Sequence, residues 1–108
     1  MRQTVALLNC AIITADGIYE CHPLTLVEAK EIVKNNKIIS AIGHDSTAQI
    51  LTELLGVEVL VNRIQFIQEI DQKAIVFKLN GRPPEGKILS KEEIETIGYS
   101  FKLLTRVR

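Results

Sequence analysis

Charge of one sign is the first thing missing. Thirteen Lys and Arg residues are matched by thirteen Asp and Glu, so the 108-residue chain has a formal net charge of zero. A module that grips duplex nucleic acid needs a basic excess to neutralise phosphates. Sequence-independent binding to DNA is therefore not expected, nor a stable duplex partner, although a local basic pocket remains compatible. Cysteine is scarce too: Cys10 and Cys21 are too few for a disulfide framework. The opening residues, MRQTVALLNC, are too short and too strand-like for an export signal. No apolar run approaches the roughly 18 residues that a spanning helix needs, so no membrane partner is expected. These absences point to the cytoplasm and reduced thiols. Disorder is excluded as well, because 46% hydrophobic and 24% charged residues is an ordinary globular balance. The length suits one domain, residues 1–108, with a single modest core.

What is present alternates between strand-like and helix-like segments. TVALLN (4–9) is a short apolar run ending in a polar residue, which predicts a buried strand. Asp16-Gly17 is a turn signal, predicting that 10–13 and 18–22 pair as a hairpin. Thr25 followed by Glu28 makes a capping box, and Leu26, Ala29, Ile32 and Val33 then share one helical face until Asn35-Asn36. KIISAI (37–42) predicts the next strand. Ser46 with Gln49 predicts a second capping box and a helix over 47–55, with Gly56 as a left-handed terminator. Strands are expected at 57–66 and 73–79, a Gly- and Pro-rich loop at 80–87, and a helix at 91–97 behind a Ser90–Glu93 box. A last strand, 99–107, carries Tyr99, Phe101 and Leu103 on one face. The class is mixed α/β, a single sheet packed with two or three helices.

Several chemistries fail on their physical requirements. GRPPEGK (81–87) has the spacing of a P-loop, but Pro83 and Pro84 lack the N–H groups that cradle phosphate. Ile88 stands where a Ser or Thr would hold magnesium. There is no Cys-x-x-Cys pair for zinc, and adjacent Cys21 and His22 point apart in a strand. No Gly-x-Ser-x-Gly elbow occurs. No metal site and no cofactor are expected.

The turn Gly43-His44-Asp45-Ser46 offers more. It lies between a strand and a helix, where free N–H groups and the helix dipole favour an anion. A histidine there is the residue type best suited to move a proton near neutral pH. The plainer reading, polar residues leading into a capped helix, accounts for the same letters. Arg63 and Arg82 are single cations that equally suit a solvated surface. Asn9 fits a turn former or a base-reading amide.

Taken together, LN at 8–9, SAIGHDST at 40–47, VNRI at 61–64 and GRPPEGKILS at 81–90 resemble the viral ring nucleases. These are small anti-CRISPR proteins of archaeal viruses, bacteriophages and integrative elements. The resemblance runs nearly end to end, and GHDST and EGKIL are its most specific strings. It implies a homodimer whose two copies enclose cyclic tetra-adenylate, the messenger of type III CRISPR immunity, in a cavity at the twofold interface. It implies metal-independent cleavage of that ring to linear di-adenylates, a cyclic oligoadenylate phosphodiesterase activity in the host cytoplasm. By the same resemblance His44 and Glu85 are catalytic, with Arg82 and Glu85 on a lid. Asn9, Gly43, Asp45, Ser46, Arg63, Lys78 and Arg82 then form the substrate-binding set. Residues 10–13 are more apolar than some relatives. A non-catalytic module, either a sponge for the cyclic nucleotide or a DNA-binding dimer, is the alternative, and it has no need of a general acid.

Overall fold

The computed structural model describes residues 4–9, 13, 15–81 and 89–108. Five strands form one mixed sheet: β1 (Thr4–Leu8), β2 (Tyr19–Leu24), β3 (Lys37–Ser40), β4 (Lys73–Leu79) and β5 (Tyr99–Arg106). Their order across the sheet is β2-β5-β4-β1-β3. β1 pairs in parallel with both β3 and β4, while β5 runs antiparallel to β4 and β2. The carboxyl ends of β1, β3 and β4 therefore lie along one end of the sheet.

Three helices are described: α1 (Leu26–Asn35), α2 (Asp45–Leu55) and α3 (Lys91–Ile97). α1 and α3 begin where their capping boxes predict. Thr25 Oγ1 accepts from Glu28 N–H at 3.1 Å, and Ser90 Oγ from Glu93 N–H at 3.2 Å. Strand alternation sends Val5, Leu7, Ile75, Phe77 and Phe101 toward the helices, where they join Ala29, Val33, Leu51, Leu54 and Ile94 in the main core. The Phe77, Tyr99 and Phe101 rings are 5.3 to 6.0 Å apart in tilted and edge-on arrangements. The alternate residues Ala6, Leu8, Ala74, Val76 and Leu104 form a smaller cluster on the opposite face.

Two expectations need correction. α2 starts at Asp45, with His44 as its N-cap and no side-chain capping bond. Ser46 and Gln49 thus lie inside the helix and form no capping box, and Asp45 is its first residue. The helix ends as expected, on Gly56 at φ 72°. On its described side β2 (19–24) pairs with β5, and the hairpin expected between 10–13 and 18–22 concerns its other edge. The first arm of that hairpin falls at 10–13, of which 10–12 are outside the described residues. Residues 57–66, finally, are not a strand. Burial there does not alternate, since Leu60 and Val61 are both exposed. Side chains tie the segment to its neighbours instead: Ser40 Oγ donates to Leu60 O at 2.6 Å, and Val59 N–H donates to Thr52 Oγ1 at 2.9 Å.

This irregular segment then crosses the second face of the sheet. Phe66 packs on the smaller cluster. Gln68 is buried, with Nε2 donating to Leu104 O at 2.9 Å and to Gln72 O at 2.6 Å. Arg106 holds the far end, donating from Nη1 to Gln68 O at 2.7 Å.

Candidate functional site

β1 is flanked by β3 on one side and β4 on the other, so the connections among these parallel strands, from β1 to β3 and from β3 to β4, run in opposite directions across the sheet. In open α/β sheets that switch point leaves a crevice outside the carboxyl ends, which is where ligands bind. Here a depression of about 190 Å³ opens at that end, lined by Asn9, Thr47, Ile50, Phe77, Lys78 and Leu79. Asn9 follows β1 directly, and Thr47 comes from the first turn of α2. Phe77 and Leu79 alternate toward the helices, while Lys78, on the opposite face of β4, borders the depression.

The turn after β3 adds the remaining polar groups. Gly43 is half-buried, and His44, Asp45 and Ser46 are exposed. His44 has extended backbone (φ −128°, ψ 132°) and, as N-cap, does not use its imidazole to close the first turn of α2. That turn keeps N–H donors for an outside partner. Asp45 sets one negative charge in the same turn, so a bound anion needs a cation beside it. Arg63 supplies one: its Nε donates to Gly43 O at 3.0 Å, and its Cγ lies 3.6 Å from where a Cβ on Gly43 would be. Only Nε is used in that bond, and the terminal nitrogens of an arginine fork are further donors.

Of the residues expected from sequence, the fold thus gathers Asn9, Gly43, His44, Asp45, Ser46, Arg63 and Lys78 at one end of the sheet. Arg82 and Glu85 lie outside the described residues. Sequence reasoning missed Thr47, Ile50, Phe77 and Leu79 as lining. Thr47 had a signal, being the last letter of the GHDST string. Among the described residues no three His, Cys, Asp or Glu side chains converge as metal ligands, and no helix is long and apolar enough to cross a membrane.

One five-stranded mixed sheet with three described helices packed on one face defines a small α/β protein. The STIV B116-like family model matches residues 5–101, and the chain belongs to that family. It is 41% identical over 105 residues to YddF of Bacillus subtilis (strain 168), covering 95% of this chain and 97% of that one. It is 43% identical over 81 residues to protein 26 of a Sulfolobus islandicus filamentous virus, covering 74% and 69%. Its fold is similar to that of B116 of Sulfolobus turreted icosahedral virus, with a TM-score of 0.77 at 22% identity over 96% of this chain and 99% of that one.

Proposed function

We propose that the protein is a metal-independent ring nuclease that binds cyclic tetra-adenylate and cuts it to linear di-adenylates, silencing type III CRISPR defence. The observation that carries this reading is the convergence at the switch point. An N-cap histidine free of capping duty, a cation bonded to the Gly43 carbonyl, open helix N–H groups and a base-sized depression lined by Asn9 and Thr47 share that end of the sheet.

The chemistry follows from those groups. A ribose 2′-OH attacks the adjacent phosphorus, forming the P–O2′ bond as the P–O5′ bond breaks. The His44 imidazolium gives its proton to the departing O5′, a step worth typically about 10²–10⁴ in rate. The 2′-OH proton passes to a base, for which Glu85 is the candidate. Arg63 and the first-turn N–H groups stabilise charge on the non-bridging oxygens, and Arg82 adds a second cation. The products end in a 5′-OH and a 2′,3′-cyclic phosphate, and no step calls for a metal.

Size supports a homodimer. Among the described residues the depression of about 190 Å³ is smaller than the roughly 300–1,000 Å³ of a drug-sized pocket, and a tetranucleotide calls for more surface than that. A ring of identical units also suits a twofold arrangement. The segment that delivers Arg63 carries Leu60, Ile64, Ile67 and Ile70 at 63, 41, 57 and 58% exposure, an apolar row for a second copy to cover.

A ring methylated at every 2′-OH separates the mechanism from its rivals. It is expected to bind and not be cut. Cleavage of the methylated ring would mean that water is the nucleophile and would remove the roles given to His44 and Glu85.

A further inference from the structure

Arg63 reaches the Gly43 turn from a segment that has no strand ladder, so its placement depends on other bonds. Two of them interlock. The Ser40 hydroxyl donates to Leu60 O at 2.6 Å, and the Asn62 side-chain amide donates back to Ser40 O at 2.8 Å. Asn62 N–H also donates to Ile42 O at 2.8 Å. The residue that follows is Arg63, whose Nε lands on Gly43 O. From Ser40 to Gly43, the end of β3 is thus read by successive groups of 60–63.

We infer that Asn62, together with Ser40, is a positioning residue for the reaction. Its half-buried amide fixes where the irregular segment meets the end of β3, and so holds the Arg63 guanidinium on the carbonyl of Gly43, the residue before His44. Asn62 does not line the crevice and acts through Arg63; the inference therefore rests on reading Arg63 as the phosphate-binding cation. The chemistry asks for a short side chain with an N–H donor. Aspartate has the same shape and no donor, and alanine has neither.

Two measurements on one set of proteins test this: wild type, Asn62→Ala, Asn62→Asp, Arg63→Ala and the double variant Asn62→Ala/Arg63→Ala. The first is affinity for fully 2′-O-methylated cyclic tetra-adenylate. Asn62→Ala and Asn62→Asp should weaken binding by about three- to tenfold, the scale of one hydrogen bond. In the Arg63→Ala background the Asn62 change should cost nothing further, because the group it positions is gone. Equal losses in both backgrounds would contradict a positioning role, since a purely structural amide costs the same whatever stands at 63. The second is hydrogen exchange at Arg63 Nε, read by NMR without ligand. It should be slow in wild type and faster in both Asn62 variants, and unchanged exchange would overturn the inference. Failure of the wild type to bind the ring would defeat the functional reading alone, leaving the exchange rates to decide the role of Asn62.

Discussion

On the proposed mechanism, position 44 sets stability against chemistry. Ser, Thr, Asn and Asp are the favoured N-caps because their side-chain oxygens accept a first-turn N–H, and histidine is not among them. His44 nonetheless caps an eleven-residue helix without a side-chain capping bond. Replacing it with a good cap should therefore help the fold and harm the reaction. His44→Ser is expected to stabilise the protein by up to about 1 kcal/mol in urea unfolding. The same substitution should lower cleavage of cyclic tetra-adenylate by about 10²–10⁴ and leave affinity for the methylated ring largely unchanged, because the imidazole acts mainly in the transition state. A variant that loses stability and keeps its turnover would contradict both halves. At Arg63, loss of a charge-assisted phosphate contact should cost roughly 1.5–3 kcal/mol of binding, read from the Arg63→Ala titration.

Among the elements, the two formed capping boxes make simple tests. Ser90→Ala should destabilise the protein by about 1 kcal/mol, measured by urea unfolding, through loss of the bond to Glu93 N–H. At α1, hydrogen bonds from the Thr25 backbone and side chain hold the Glu28 carboxyl below its ordinary range. A lowered folded-state pKa means that this carboxylate's contribution is present above the unfolded value and lost as pH falls through the folded one. Glu28→Gln should therefore flatten the acid limb of the stability-versus-pH curve, and an unchanged limb would assign the acid sensitivity elsewhere. These boxes were legible in the letters because an S/T-x-x-E pattern ahead of a helical apolar face is a local signal. Local signals also misled. Ser46 and Gln49 have the same form, yet α2 begins ahead of them, at Asp45. VEVLVNRIQF has strand composition, but the Leu60 carbonyl and the Val59 N–H are taken by the Ser40 and Thr52 side chains, a long-range arrangement that no window of residues contains. The polar cluster at 43–47 was legible as a candidate site because it falls between a strand and a helix. Its grouping with Asn9 and Lys78 came from the resemblance and from no local pattern, since it depends on the order of strands in the sheet.

For the whole molecule, sheet order and surface apolarity govern what the site can hold. The parallel strands bring three chain segments to one crevice, and the segment over the second sheet face leaves isoleucines in solvent. If those side chains meet a second copy, Ile67→Glu should turn a dimer into a folded monomer by sedimentation, with ring cleavage greatly reduced. A monomeric variant that cleaves at the full rate would place the complete site within one chain. The most direct measurement concerns the reaction itself. Purified protein is incubated with cyclic tetra-adenylate, with and without EDTA, and the products are resolved by chromatography and mass. The mechanism predicts linear di-adenylates ending in a 2′,3′-cyclic phosphate, formed at the same rate in either condition. An intact ring after prolonged incubation, or products ending in an open 3′-phosphate from the outset, would contradict it.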